Sequence, residues 1–540
     1  MRPICRTLAI APFVALIIAS GVARSAEPHR EWFDPAGISG KLLICGGGEL
    51  PARVFLRFRE LAGGADARIV AIPTASHKID EPTEKGITEF WTDHGGVASS
   101  QMLHTRSKEV ANSPEFIKPL QDATGVWFGG GLQARIADAY VGTAIERELE
   151  ALLDRGGVIG GTSAGAAIQS KLMIASGNPE AVLKTGFDLL PGSVIDQHFS
   201  QRERKPRLVR VLKEHAGYVG FGIDESTALL VDGRDLEVIG DNIVTICLAA
   251  GEDREALELE LKEKDVADLT ALRRAARDRS GPAFPPRDMK TPGVANGALI
   301  IGGGGRLPEE VMTKFIELAG GPDSLIVVFP TASADPLPKK NSSERMIREA
   351  GATNVVVLPQ RKRADVESDE FLNRLKSARG VWFGGGRQWR FVDAYENTKA
   401  FELLHDVLRR GGVIGGSSAG ASIQGEYLAR GSPLGNREIM AEGYERGFNF
   451  LPGVAIDQHF TQRERLPDMM QLVKRFPQLI GLGVDEATAI VVQKQSALVI
   501  GVNQVHIANS TVRSGENNSA ISLSNGQVFD FGGSPIPPDR

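Results

Sequence analysis

GGVIGGTSAGAAIQS at residues 156–170 returns as GGVIGGSSAGASIQG at residues 411–425, and this repeated stretch decides the fold. Each copy is followed by IDQHF and then by a GxDE sequence. The serines Ser163 and Ser418 are 255 residues apart, whereas the later histidines and glutamates are 261 apart, so the second copy carries a six-residue insertion. A repeat of this length predicts two similar domains in one chain.

Short apolar runs alternate with amphipathic segments in each copy. In the first copy KLLIC, RIVAI, VWF and VIGG have strand character, and segments with helical periodicity lie between them. This alternation predicts a mostly parallel sheet with helices on both faces, followed by an antiparallel meander at the sheet edge. We therefore predict an α/β protein with one domain at residues 38–250 and a second at residues 296–508.

The remaining segments differ in composition from the two domains. Residues 251–295 combine a charged stretch with a proline-rich one, which predicts a surface helix and a stiff linker. Residues 509–540 are polar and predict a loose tail. Residues 1–26 contain arginines, a short apolar run and small residues, which is typical of a secretory signal peptide. We therefore expect export to the periplasm or the extracellular space, with no membrane segment after cleavage.

Composition argues against several classes of function. A net charge of −5 without a long basic run argues against nucleic acid as a partner. The glycine runs lack the lysine of a P-loop, and Cys and His do not occur at zinc-binding spacing, so we expect neither cofactor nor metal. The expected partner is a small or peptidic substrate.

The Gly-x-Ser-x-Gly sequences around Ser163 and Ser418 are the strongest candidates for catalysis. A β-branched strand precedes each serine and an alanine-rich helix follows it, which is the context of a nucleophile elbow. A glycine turn in which the serine caps a helix is the structural alternative. The duplication favours the catalytic interpretation.

A serine nucleophile needs a general base, and comparison of the copies selects one histidine in each. Only His198 and His459 correspond to each other, and each follows its serine in the chain. A histidine with a purely structural role is the alternative. The carboxylate that orients the imidazole stays open among Glu225, Asp224 and Asp196 in the first copy and Glu486, Asp485 and Asp457 in the second.

An oxyanion hole would be formed by backbone N–H groups beside each serine. The residue after the serine supplies one N–H group, and the glycine run of VWFGGG is suited to supply another. A plain glycine turn is the alternative for this run. The candidates are Ala164, Gly130 and Gly131 in the first copy and Ala419, Gly385 and Gly386 in the second.

The order serine, histidine, acid on this strand pattern resembles the class I glutamine amidotransferase-like (flavodoxin-like) fold, with serine in place of cysteine. VWFGGGLQ, GGTSAGA, DQHFSQRERKPRL and GIDES more specifically resemble the cyanophycinase family of serine peptidases, relatives of peptidase E. The resemblance spans nearly all of each copy. Its most specific part is the signature DQHF-xx-R-x-R-xx-R.

This resemblance implies hydrolysis of cyanophycin, a poly-aspartate chain with arginine on its side chains, through an acyl-enzyme and without a cofactor. It implies the triads Ser163, His198, Glu225 and Ser418, His459, Glu486. It also implies a substrate pocket lined by Gln133, Asp196, Arg202, Arg204 and Arg207 in the first copy and by Gln388, Asp457, Arg463 and Arg465 in the second. Arginine suits this role because its guanidinium binds carboxylates in bidentate fashion; a solvated, charged helix start is the alternative.

Two other functions fit the same residues. One is a secreted exopeptidase for aspartyl or isoaspartyl peptides that does not act on cyanophycin, and the other is a peptide-binding protein without turnover. The second copy has Asp468 where the first has Arg207, which predicts a competent second site with an altered substrate preference. We also expect the two copies to pair as an intrachain pseudo-dimer.

Overall fold

The described residues form two α/β domains of matching topology. The computed structural model describes residues 34–79, 88–94, 96–509 and 520–533. The signal peptide predicted over residues 1–26 lies outside the described residues.

The first domain contains strands β1–β14 and helices α1–α7, and helix α8 follows it. The strands are β1 Lys41–Cys45, β2 Arg68–Ile72, β3 Ser99–Met102, β4 Gly125–Phe128, β5 Val158–Thr162, β6 Leu172–Ser176, β7 Val182–Thr185, β8 Ser193–Gln197, β9 Val219–Ile223, β10 Thr227–Asp232, β11 Asp235–Gly240, β12 Val244–Leu248, β13 Leu257–Leu261 and β14 Val266–Asp268. The helices are α1 Ala52–Leu61, α2 Lys108–Ala111, α3 Pro114–Asp122, α4 Gln133–Tyr140, α5 Ala144–Asp154, α6 Ala164–Ala167, α7 Lys205–Glu214 and α8 Leu269–Arg279.

The second domain contains strands β15–β27 and helices α9–α16. The strands are β15 Val294–Gly302, β16 Ile326–Phe329, β17 Val355–Val357, β18 Gly380–Phe383, β19 Val413–Ser417, β20 Gly425–Tyr427, β21 Leu451–Gln458, β22 Ile480–Val484, β23 Thr488–Lys494, β24 Ser496–Gly501, β25 Val505–Ala508, β26 Ile521–Leu523 and β27 Val528–Asp530. The helices are α9 Glu309–Leu318, α10 Ser342–Glu349, α11 Arg363–Val366, α12 Asp369–Ser377, α13 Trp389–Tyr395, α14 Lys399–Arg409, α15 Ala419–Ser422 and α16 Leu466–Arg475.

Each domain is built on a main sheet with a parallel centre. Among the described residues, the order in the first domain is β14-β11-β10-β1-β5-β4-β2-β3, in which β1, β5, β4, β2 and β3 run parallel. The second domain repeats this order as β27-β24-β23-β15-β19-β18-β16-β17. A smaller second sheet follows in each domain, β13-β12-β9-β8 in the first and β20-β21-β22-β25-β26 in the second.

Both faces of the main sheet are covered, as the continuous apolar strands predict. Leu42 and Ile44 of β1 belong to the apolar cluster that includes residues of α4 and α5. Leu43 belongs to a separate cluster on the opposite face, together with Phe58 of α1 and Trp127 of β4. Successive strand residues point to opposite faces, so a strand covered on both sides must be apolar throughout.

The predicted edge meander is divided between the two sheets. Strands β10 and β11 form the expected antiparallel hairpin in the main sheet. Strand β12, however, pairs with β9 in the second sheet. The chain therefore crosses from one sheet to the other between β9 and β10, and Glu225 lies at this crossing.

The predicted surface helix over the charged segment is wrong for its first half. LELEL at residues 257–261 forms β13, because its leucines alternate with glutamates at the period of a strand. Helix α8 follows, but it is buried on most of its surface. Similarly, the predicted loose tail contains β26 and β27, which extend the two sheets of the second domain as β13 and β14 extend those of the first.

Helix α8 lies between the two domains. The Arg274 guanidinium is buried and pairs with Asp393, at 3.1 Å between Nη2 and Oδ1, and with Glu396. Arg234 of the first domain pairs with the same Asp393 and stacks on Trp389, whose ring centre lies 4.7 Å from the guanidinium carbon. The domains thus contact each other through a buried network of ion pairs; the predicted pseudo-dimer stays a prediction.

Candidate active site

Ser163 lies on a sharp turn between β5 and α6. Its backbone has φ 53° and ψ −107°, a strained conformation for a residue with a side chain. The flanking glycines allow the turn, since a Cβ on Gly161 would lie 2.2 Å from the carbonyl oxygen of Gly165. Ser418 has nearly the same conformation, with φ 57° and ψ −116°. This geometry lifts each hydroxyl above the carboxyl end of the parallel strands.

A chain of hydrogen bonds connects serine, histidine and glutamate in the first domain. His198 follows β8, and its Nε2 lies 2.8 Å from Oγ of Ser163. Its Nδ1 lies 2.6 Å from Oε1 of Glu225. The histidine packs on Gly47, where a Cβ would lie 2.3 Å from Cε1 of the imidazole. The second sheet thus supplies base and acid, and the main sheet supplies the serine.

The second domain reproduces this arrangement. Nε2 of His459 lies 3.0 Å from Oγ of Ser418, and Nδ1 lies 2.6 Å from Oε1 of Glu486. Gly304 takes the place of Gly47, with a Cβ position 2.3 Å from the imidazole. The second site therefore has the same hydrogen-bond geometry as the first.

The other carboxylates have different partners. Asp224 accepts a hydrogen bond from the backbone N–H of Ser200 at 2.9 Å, and Asp485 accepts one from that of Thr461 at 2.9 Å. Asp196 is buried and pairs with arginine rather than with the imidazole. Among the candidates weighed in the sequence, the glutamates are the ones in contact with the histidines.

The environment of each histidine favours its neutral form. Burial lowers the pKa of His198, the hydrogen bond to Glu225 raises it in part, and the nearby positive charge of Arg202 lowers it again. Burial likewise lowers the pKa of His459, with Glu486 and Arg463 in the same opposing roles. Both imidazoles therefore have a pKa below the ordinary value for histidine, and at neutral pH each can accept a proton.

The glycine run lies close to each serine. A Cβ placed on Gly130 would lie 3.6 Å from Cβ of Ser163, and one on Gly385 would lie 3.5 Å from Cβ of Ser418. In the described parts of the chain, no backbone oxygen accepts a hydrogen bond from the N–H groups of Gly130 or Gly385. The next glycines, Gly131 and Gly386, have φ of 141° and 142°, which only glycine adopts readily.

The remaining candidates for the oxyanion hole and the glutamines predicted to line the pocket lie next to the serines and the glycine runs in the sequence. Ala164 and Ala419 begin α6 and α15, directly after the serines. Gln133 and Gln388 are buried and donate from Nε2 to the carbonyl oxygens of Ile174 and Ala429, both at 2.8 Å. The glutamine amides thus connect the glycine run to the segment after the nucleophile helix.

The arginines after the histidine divide into buried and exposed residues. Arg207 is buried, and its Nε donates to Oδ2 of Asp196 at 2.9 Å while Nη2 contacts Oδ1. Arg204 donates to the carbonyl oxygen of Gln197. The Arg207–Asp196 pair is buried, so neither of its charges is open to a substrate. Arg202 is exposed, and its positive charge acts on His198.

In the second domain, an arginine from a different part of the chain pairs with the buried aspartate. Asp468 replaces Arg207, but Nε of Arg430 donates to Oδ2 of Asp457 at 2.9 Å, the distance that Arg207 has to Asp196. Nη2 of Arg430 also donates to Oδ2 of Asp468 at 2.6 Å. Arg465 contacts Asp457 from the other side. Arg430 therefore supplies the guanidinium for Asp457 and offsets one of the two charges by which Asp468 differs from Arg207. Arg463, like Arg202, is exposed.

Sequence reasoning missed three features of the sites. Gly47 and Gly304 make room for the imidazoles, and their repetition after the first strand of each copy was the available signal. Gln201 accepts a hydrogen bond from the backbone N–H of Glu225 at 3.0 Å, and Gln462 repeats this contact with Glu486. The first copy has no arginine at the position of Arg430, so comparison of the copies could not select it.

Metal-binding clusters and membrane-spanning helices were also sought among the described residues. No group of three or more His, Cys, Asp or Glu side chains there is arranged to hold a metal ion. No helix of the described chain has the length and apolar character needed to cross a membrane.

Comparison with known proteins agrees with the fold. A serine held by histidine and carboxylate at the carboxyl end of a parallel sheet is the arrangement of α/β serine hydrolases. The chain belongs to peptidase family S51, whose family model matches residues 42–239 and 298–500. The predicted fold class and the tandem repeat are confirmed.

Relatives of known function are similar to part of the chain. Cyanophycinase of Synechococcus elongatus is 33% identical over 205 residues, which are 37% of this chain and 63% of the relative. Cyanophycinase of Trichormus variabilis is 30% identical over 232 residues, 42% of this chain and 77% of the relative. A solved peptidase from an acI-B1 Actinobacterium is 23% identical, covers 44% of this chain and 98% of its own, and has a TM-score of 0.35.

Proposed function

We propose that this protein is an exported serine peptidase that hydrolyses cyanophycin or related aspartyl and isoaspartyl peptides at two sites. The observation that carries the proposal is the hydrogen-bonded Ser-His-Glu chain, which occurs in both domains with nearly equal distances. The similarity to cyanophycinases supports the choice of substrate. An exposed arginine beside each site, Arg202 or Arg463, suits a substrate rich in carboxylates.

The proposed mechanism follows the roles of these groups. Oγ of Ser163 attacks the amide carbonyl carbon while Nε2 of His198 takes the hydroxyl proton, and Glu225 stabilises the resulting imidazolium. The N–H groups of Ala164 and Gly130 stabilise the oxyanion. The C–N bond then breaks, and the imidazolium gives its proton to the leaving amine. Water releases the acyl group by the same steps, and the serine is restored.

Turnover of purified protein tests this proposal. The full chain, Ser163→Ala, Ser418→Ala and the double variant are incubated with cyanophycin and, separately, with short Asp-X peptides. We expect release of β-aspartyl-arginine by the full chain and by each single variant, and a loss of about 10⁴-fold or more in the double variant. Cleavage of the short peptides alone would favour the exopeptidase, and no turnover of either substrate would contradict the proposal.

Export has its own test. The leader over residues 1–26 predicts that the mature chain begins after the small residues near position 26. N-terminal sequencing of the protein from a secreted or periplasmic fraction checks this. An intact N-terminus in a cytoplasmic fraction would contradict export without affecting the peptidase proposal.

A further inference from the structure

The two domains differ in the segment that follows the nucleophile helix. In the first domain this segment forms the hairpin β6–β7. In the second domain it includes the six-residue insertion, and residues 430–446, here called the wall segment, follow a longer path. Arg430 corresponds to Ala175, because the carbonyl groups just before these residues accept the hydrogen bonds from Gln388 and Gln133.

The first half of the wall segment borders the second active site. Nη2 of Arg387 donates to the carbonyl oxygens of Ser432 and Gly435, at 2.6 and 2.7 Å. Arg387 directly follows Gly386 of the glycine run. Nη1 of Arg430 donates to the carbonyl oxygen of Arg437 at 2.8 Å. Residues 431–438 are thus held between the glycine run and the strand that carries His459.

In the described part of the first domain, the residue after the glycine run has a different environment. Leu132 occupies the position of Arg387, and 57% of its surface is exposed. The tip of the β6–β7 hairpin turns toward the arginines after His198, since Asn178 Nδ2 donates to the carbonyl oxygen of Arg202 at 3.2 Å. Among the described residues, the side chain directly after the glycine run therefore hydrogen-bonds to this segment only in the second domain.

The second half of the wall segment contacts α8 and the end of the first domain. Glu442 forms a bidentate pair with Arg279 of α8, at 3.0 Å between Oε2 and Nη2. Arg279 in turn donates to the carbonyl oxygen of Ala249 at 2.8 Å. Gly443 packs so closely on α8 that a Cβ there would lie 2.3 Å from the carbonyl oxygen of Ala271. One short segment therefore connects the second site to the interdomain interface.

We propose that the wall segment determines which substrates the second site accepts, and that its contact with α8 holds it in the required position. The second site then acts faster on short aspartyl peptides than on the polymer, whereas the first site, which the described chain does not border in this way, acts on both. This inference rests on the proposed peptidase function. It predicts that the interface controls the selectivity of the second site and leaves that of the first site unchanged.

The test uses each site as the control for the other. Gly443→Ala is introduced into Ser163→Ala protein, where only the second site works, and into Ser418→Ala protein, where only the first works. Gly443 has φ +86° as well as the close contact, so the added methyl group must displace the segment from α8. Glu442→Ala, a milder change at a side chain that is 24% exposed, serves as a second variant. Gly281→Ala is the matched control, because its Cβ would meet only ordinary contacts at 3.8 Å or more.

The measured quantity is the ratio of kcat/KM for cyanophycin to kcat/KM for a short Asp-X peptide. We expect this ratio to change at least about tenfold at the second site for Gly443→Ala, in the same direction but less for Glu442→Ala, and not at all at the first site. An unchanged ratio at the second site, or an equal change at both sites, overturns the inference.

Failure of the peptidase proposal is distinguishable from failure of this inference. If the parent proteins turn over neither substrate, the proposed function fails. Labelling of Ser418 by a small and by a bulky fluorophosphonate then still measures access to the site. We expect Gly443→Ala to speed labelling by the bulky probe relative to the small one, and an unchanged ratio of the two rates overturns the inference.

Discussion

The first and second domains bring an arginine to the same buried aspartate from different parts of the chain. Arg207 reaches Asp196 from α7, and Arg430 reaches Asp457 from the segment after α15, with the same 2.9 Å between Nε and Oδ2. The comparison shows that the histidine loop requires a guanidinium at this position, whichever element provides it. A buried carboxylate two residues before the base is costly unless a cation pairs with it.

The largest expected effect comes from removing the arginine of the second domain. Arg430→Ala leaves Asp457 with Arg465 alone, so we expect the second domain to lose roughly 3 kcal/mol of unfolding free energy, at the lower end for a broken buried pair. Chemical denaturation measures this change. Activity of the second site should fall with it in a Ser163→Ala background.

A double variant that copies the arrangement of the first domain should restore the lost stability. Position 468 on α16 corresponds to position 207 on α7, so Arg430→Ala with Asp468→Arg should return most of the lost stability. A double variant that is no more stable than Arg430→Ala would contradict the equivalence of the two arginines.

Substitution of the glycine that packs against the imidazole should have the next largest effect. The methyl group of Gly47→Ala would overlap His198, so the imidazole must move away from Ser163. We expect kcat of the first site to fall about 100-fold in a Ser418→Ala background. Gly64→Ala is the control, because it also has positive φ but its Cβ would meet no atom within 4 Å. Equal activity of the two variants would show that the histidine does not depend on this contact.

The smallest effect concerns the pH dependence. Because Arg202 lowers the pKa of His198, Arg202→Ala should raise that pKa and move the acid limb of kcat/KM to higher pH. Activity near pH 6 then falls relative to the plateau, since more of the base is protonated. Arg210→Ala, an exposed change on α7, should leave the limb in place. A shift to lower pH for Arg202→Ala would contradict the electrostatic role.

Sequence reasoning reached the features that both copies share. The Gly-x-Ser-x-Gly turns, the histidine pair and the alternation of strands and helices were each visible twice, and local rules for turns and periodicity interpret them directly. The choice of Glu225 over Asp224 was beyond those rules, because both residues follow the same strand. Only the crossing between the two sheets decides which carboxylate faces the imidazole.

The features that the sequence did not predict depend on contacts between distant segments. Arg430 takes the role of Arg207 through a contact that exists only in the folded chain. The two positions are not aligned in the repeat. The charged composition around strand β13 favoured a surface helix, although LELEL has the two-residue period of a strand. The burial of α8 comes from acidic partners in the second domain, such as Asp393, which no local pattern indicates.

The central claim is that Ser163 and Ser418 are both activated nucleophiles, and covalent labelling tests it most directly. The intact chain is treated with a fluorophosphonate and digested, and the modified peptides are identified by mass spectrometry. We predict one label on Ser163 and one on Ser418, with each label lost only in the alanine variant of its own serine. An intact protein of native fold that carries no label on either serine would contradict the account.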